Sequence, residues 1–183
     1  MANLKFSQGR NQYDNQPVQL DAADFDDFVA QICRTGSTRK GETYICAPLA
    51  KGPHSDPQKY VGDDSWRIRN LALPRRFLAL DGDGFSSPSV FAAFQQEVSQ
   101  WNSLVYTTAS HTQQTPRARA IIELSREVDY AEGIVLGDAV QRMLEATLGA
   151  AKRFCPNFVP LTRQKAGQGQ VSDEAKLLIL LSP

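Results

Sequence analysis

Cysteine and histidine are scarce in this chain. It has three cysteines, Cys33, Cys46 and Cys155, and two histidines, His54 and His111. The cysteines are odd in number and far apart, and no C-x-x-C occurs. Neither a disulfide framework nor a zinc site of usual spacing is therefore expected; buried, reduced thiols are. The N-terminal "MANLKFSQGRNQYDNQ" lacks the apolar core of a signal peptide. Nowhere do roughly 18 apolar residues run together, as a membrane helix requires. Net charge is missing too, since 20 basic and 20 acidic side chains cancel. Global charge thus does not announce a nucleic-acid binder, although a local basic patch is compatible with that balance. The expectation is a cytoplasmic, soluble chain with no membrane partner.

What is present is enough for a core. The 183 residues are 42% apolar, which fits one globular domain and a small appendage. Residues 1–17 are polar and amide-rich and read as a flexible leader. In "LDAADFDDFVAQICRTG", Asp21 is a candidate cap, and Phe25, Phe28, Val29 and Ile32 share one helical face. Gly36 is its expected stop. "ETYICAPLA" has strand chemistry around Tyr44–Cys46, and residues 51–65 read as a long loop.

"RRFLALD" has a buried-strand pattern ending at Asp81. Ser86 or Ser87 with Pro88 then starts a helix whose apolar face is Val90, Phe91, Phe94 and Val98. "SLVYTTASHT" and "RARAIIELSREV" read as a hairpin joined through "HTQQTP". A second long helix follows Asp129, with Ile134, Val135, Ala139, Met143 and Leu144 expected to face a core. From residue 43 the order is strand, strand, helix, strand, strand, helix, which predicts an α+β fold with helices on one face of a sheet. The main domain is expected over residues 18–150. Residues 151–183 form an atypical tail without a clear strand.

The chemistry concentrates in "FLALDGDGFSSPSVF". With Gly84 at the sixth position of a calcium loop, Ala79 would stand first and Val90 twelfth, where oxygen ligands are needed. That excludes an EF-hand. A plain Asp-Gly turn is available, but two carboxylates closing a buried strand are costly unless solvated or paired. A haloacid dehalogenase-like phosphatase also carries D-x-D after an apolar strand. It usually has threonine or valine soon after, where this chain has Gly84-Phe85, and neither a later lysine nor an acidic pair at a strand end is visible. The remaining reading is a metal pair. Residues i and i+2 of a strand point the same way, so Asp81 and Asp83 present carboxylates to one face. Such a pair suits divalent ions about 4 Å apart in phosphoryl transfer.

Downstream, Ser110 and His111 end one strand, and Arg117 and Arg119, at i and i+2, open its partner. A histidine and two arginines beside a metal pair would make a receptor for a triphosphate.

Together these pieces resemble the archaeo-eukaryotic primase superfamily, in particular the primase-polymerase-like domains of phages, plasmids and integrated elements. "FLALDGDGF" is similar to that family's first motif and "YTTASHT" to its second, s-x-H, followed by the "PRARAIIELSREV" strand. The resemblance covers roughly residues 43–148. It implies an RRM-like antiparallel or mixed sheet joined to a small N-terminal α/β unit. It implies Asp81 and Asp83 as ligands of Mg2+ or Mn2+, and Ser110, His111, Arg117 and Arg119 as nucleotide contacts. Asp81, Asp83 and His111 would be catalytic, in template-directed nucleotidyl transfer during replication of a mobile element. The implied partners are nucleoside triphosphates, single-stranded DNA or a primer-template, and a helicase, with which such domains often travel.

The chain departs from the family at the third motif, an acid on a strand after the second helix. Cys155 follows Phe154 there, and no carboxylate occurs between Glu145 and Asp173. Impaired activity follows if nothing replaces that acid. The alternative from another class is a non-catalytic module that binds nucleic acid or a replication partner. In that reading "RIRNLALPRRF" tracks phosphates while Trp66 stacks on a base.

Overall fold

The amide-rich N-terminus forms a strand. In the computed structural model, which describes residues 3–34, 43–83, 85–148 and 154–156, Leu4–Gly9 is β1. It is the middle strand of a three-stranded sheet, flanked by β2 (Val18–Ala22) and β3 (Tyr44–Cys46), both antiparallel to it. Leu4 and Phe6 alternate inward and are buried, so the flexible leader expected over residues 1–17 is corrected by a period-2 pattern hidden among amides. Helix α1 (Phe25–Arg34) contributes Phe25 and Phe28 to the same core. The Phe28 ring meets Phe6 edge-on at 4.8 Å.

Asp24, not Asp21, starts α1. Its side chain accepts from the Asp27 N–H at 2.9 Å, and its carbonyl from the Phe28 N–H at 3.1 Å. Asp21 belongs to β2, where it opposes Lys5. The expected stop at Gly36 lies outside the described residues.

The stretch read as a loop over 51–65 carries a two-residue ladder, β4 (Gly52–Pro53) with β5 (Asp63–Asp64). Trp66 organises it. Its ring lies 5.3 Å from Tyr60 and 5.4 Å from His54, and its Nε1–H donates to the Gly62 carbonyl.

These residues, with 67–76 and 128–130, make one unit; residues 77–127, 131–148 and 154–156 belong to a second. The second contains β6 (Arg75–Asp83) from Phe77 onward, α2 (Pro88–Val98), β7 (Ser103–Thr107), β8 (Arg117–Val128), α3 (Tyr130–Leu148) from Ala131, and β9 (Phe154–Pro156). Its sheet order is β7-β8-β6-β9. A βαββαβ chain with that order is the RRM-like α+β arrangement. The six-element order expected from residue 43 shifts by one element: β3 pairs with β1, and β9 supplies the last strand.

Local chemistry explains the elements. Ser87 is the cap of α2, accepting from the Val90 N–H at 3.2 Å, with Pro88 at the first turn. Along β8, Ala118, Ala120, Ile122 and Leu124 are buried, while Arg117, Arg119 and Glu123 are half-buried. The covered residues of the helices include Phe94 and Val98 of α2 and Leu136, Val140 and Leu144 of α3. Val135 was expected inside but is 48% exposed, because the buried stripe runs through Gly133, Leu136, Gly137 and Val140. No helix among the described residues is long and apolar enough to cross a membrane.

Candidate functional site on the second sheet

Strand alternation gives β8 its two faces, and the less buried one collects the polar chemistry. Arg117 and Arg119 lie on it two residues apart. The β7–β8 hairpin is antiparallel and pairs Tyr106 with Arg119 and Leu104 with Ile121. The strand beside β8 on the other side is β6, which ends in Asp81, Gly82 and Asp83.

Asp81 and Arg119 meet across this boundary. Arg119 Nε donates to Asp81 Oδ1 at 2.5 Å, and Nη2 donates to Oδ2 at 3.1 Å. The side chains remain 27% and 21% exposed, so the fork is sheltered but reached by solvent. Burial alone would lower the basicity of Arg119, but hydrogen bonding to Asp81 and to Tyr106, with the negative charge of Asp81, raises it above the ordinary guanidinium value. Sequence reasoning missed Tyr106. The hairpin register, once known, puts it opposite Arg119.

His111 is held by the backbone of Arg117. Its Nδ1 accepts from the Arg117 N–H at 3.2 Å and lies 3.3 Å from the Arg117 carbonyl. Accepting from that N–H goes with the Nε2–H tautomer, and donating to the carbonyl goes with the Nδ1–H tautomer. The His111 N–H in turn donates to the Thr108 carbonyl at 2.9 Å, closing a turn in which Ser110 is half-buried. Thr112 and Thr115 fasten the hairpin tip, with the Thr115 N–H donating to Thr112 Oγ1 at 2.9 Å.

A row of rings ties this hairpin to the segment after the aspartates. His111 lies 5.7 Å from Phe91 of α2, and Phe91 lies 5.2 Å from Phe85. Phe85 is buried, packs 5.0 Å from Phe94, and stands two residues beyond Asp83. The sequence signal for this row is modest: Phe91 and Phe94 fit a helical core face, and nothing local marks Phe91 as the neighbour of His111.

The structure therefore brings Asp81 to Arg119, and His111 to Arg117. The side chain of Asp83 lies outside the described residues. Cys155, where the resemblance calls for an acid, is the register partner of Asp81 on β9, flanked by Phe154 opposite Gly82. Among the described residues, no three His, Cys, Asp or Glu side chains group to hold a metal ion. By donor chemistry, a carboxylate such as that of Asp81 is a hard oxygen donor of the kind Mg2+ or Mn2+ takes. Asp81 already carries a guanidinium.

The basic stretch "RIRNLALPRRF" belongs to the first unit up to Arg76, and Trp66 beside it corrects the expectation of a base-stacking ring. Trp66 is 5% exposed and cannot stack on a base. Arg67 lies 4.2 Å above the Tyr44 ring and donates to the Gln12 carbonyl. Arg69 lies 4.7 Å above the Tyr130 ring, and Arg75 is buried. Arg67 and Arg69 thus cover tyrosine rings by cation–π contact, and Arg67 adds a carbonyl hydrogen bond.

Compared with protein-family models, curated proteins and solved structures, the chain matches none of them.

Proposed function

We propose that the second unit is a primase-polymerase-like nucleotidyl-transfer domain acting on nucleoside triphosphates and a nucleic-acid template. One observation carries the reading. On a single RRM-like sheet, the carboxylate ending a central strand contacts an arginine of the neighbouring strand. The backbone of the same neighbouring strand holds a histidine by its Nδ1. Guanidinium and imidazole N–H groups are the donors that phosphate oxygens require.

In this reading Asp81 and Asp83 would hold Mg2+ or Mn2+, which would draw the triphosphate oxygens together and offset their charge. His111 donates from Nε2 to a phosphate oxygen, its ring fixed by the Arg117 backbone and the Phe91 ring. Arg117 and Arg119 bear on the same oxygens from the adjacent strand. The 3′-hydroxyl attacks the α-phosphate and pyrophosphate leaves, so positioning and electrostatics supply the acceleration and no protein nucleophile is needed.

The test is incorporation of labelled nucleotides on primed and unprimed single-stranded DNA with Mn2+ or Mg2+. Synthesis is expected to disappear in the Asp81→Ala, Asp83→Ala double variant. Synthesis that survives it removes the reading.

A second reading, a binding module without chemistry, draws on the same fork, since Arg119 already neutralises Asp81. It is favoured if the protein binds single strands in a salt-dependent way yet shows no metal-dependent affinity for triphosphate.

A further inference from the structure

We infer that Arg119 is a displaceable counter-cation, which occupies the Asp81 carboxylate until a divalent cation and a triphosphate bind together and then moves to the phosphate oxygens. The inference rests on the nucleotidyl-transfer reading for the identity of its ligands. Its evidence is the geometry of the fork.

Both Asp81 oxygens accept from one guanidinium, at 2.5 and 3.1 Å. A divalent cation entering the same carboxylate would meet a positive charge within contact distance. That repulsion makes binding of the metal alone unfavourable unless the guanidinium leaves. Departure is sterically open, because the Arg119 side chain is 27% exposed and Asp81 21%.

Arg119 is also held from a second side. Tyr106, its register partner on β7, hydrogen-bonds it. A guanidinium released from Asp81 therefore stays beside the sheet face instead of passing into bulk solvent. Its planar fork fits phosphate oxygens as well as it fits a carboxylate. Metal and triphosphate then help each other: the metal frees the guanidinium, the phosphate receives it, and each ligand raises the affinity of the other by the same factor.

The experiment measures Mn2+ binding by the paramagnetic resonance of the unbound ion, and then binding of the manganese complex of inorganic tripolyphosphate by calorimetry. It uses the full chain and its Arg119→Gln variant. The variant is expected to bind Mn2+ alone at least tenfold more tightly than wild type, and the manganese–tripolyphosphate complex at least tenfold more weakly. Opposite signs from one substitution are not produced by a merely structural role.

Arg119→Lys keeps the charge without the fork and is expected to show both changes at smaller size. It serves if circular dichroism shows Arg119→Gln to be unfolded. Mn2+ affinity that is equal or weaker in both variants, yet lost in Asp81→Asn, overturns the counter-cation while leaving the metal site standing. Binding of neither Mn2+ nor its tripolyphosphate complex, or binding indifferent to Asp81→Asn, removes the metal site and this inference with it.

Discussion

Arg119 grips both oxygens of Asp81 from the neighbouring strand, Nε on Oδ1 and Nη2 on Oδ2. The partners lie 38 residues apart in sequence, so the contact exists only because β8 lies beside β6 in the sheet. It changes the meaning of the D-x-D motif, whose first carboxylate is half-buried and already neutralised.

The fork is expected to behave as a sheltered pair, between exposed pairs worth under about 1 kcal/mol and buried ones whose breakage costs about 3–5 kcal/mol. In a double-mutant cycle with Arg119→Gln and Asp81→Asn, a coupling of about 1 kcal/mol is expected. Each single variant should melt below wild type. A coupling indistinguishable from zero would mean that solvent screens the pair completely.

The proposed donor to phosphate requires His111 to be the Nε2–H tautomer when neutral, with Nδ1 accepting from the Arg117 N–H. Long-range nitrogen–proton correlation spectra of the 15N-labelled protein distinguish the two ring nitrogens. A neutral ring protonated on Nδ1 would contradict the arrangement, and with it the proposed donor to phosphate.

Asp14 supplies a pH dependence with a definite sign. Burial works to raise its carboxyl pKa, but the Arg10 N–H, the Arg10 guanidinium and the Gln16 N–H outweigh it and hold the value below normal. A carboxylate held lower in the folded state contributes stability above the unfolded value, near pH 4, and loses it as pH falls through the folded value. Asp14→Asn is expected to cost on the order of 1 kcal/mol at neutral pH. The gap from wild type should narrow in urea unfolding below pH 4. A gap that widens on acidification would reverse the sign.

The two thiols with described side chains should differ in reactivity. Burial pushes the Cys46 thiol up to about 12, while Cys33 is exposed. With iodoacetamide at pH 8, peptide mapping should find Cys33 modified quickly and Cys46 modified only as the protein unfolds. Equal labelling of both in the native state would show that the Cys46–Leu49 cluster opens readily.

The cap at Ser87 is a local signal with a local cost. Ser87→Ala should lower stability by about 1 kcal/mol and Ser87→Asp should restore most of it, as read from the denaturant midpoint. An unchanged midpoint in Ser87→Ala would show that the Val90 N–H finds another acceptor.

Elements carried by neighbouring residues were legible in the sequence. Ser87-Pro88 starts α2, the β-branched run of β7 pairs with β8, and the apolar run into Asp81 is a strand, because caps, turns and periodicity act within a few residues. Elements defined by distant partners were not. Leu4 and Phe6 read as a leader because their amide-rich neighbours mask the alternation that β2 and β3 complete. Trp66 read as a base-stacking platform because nothing adjacent reveals that Tyr60 and His54 enclose it.

The sequence by itself determined the α+β class, the hairpin, and the placement of Asp81 and Asp83 at a strand end ahead of a capped helix. Only the tertiary structure decided that β3 joins the first sheet, that β9 sets Cys155 opposite Asp81, and that Arg119 forks onto that carboxylate. Strand partners and ion pairs are chosen by competition among surfaces far apart in the chain. The free energy that selects them, from burial and hydrogen-bond satisfaction, exists only once the sheet has assembled.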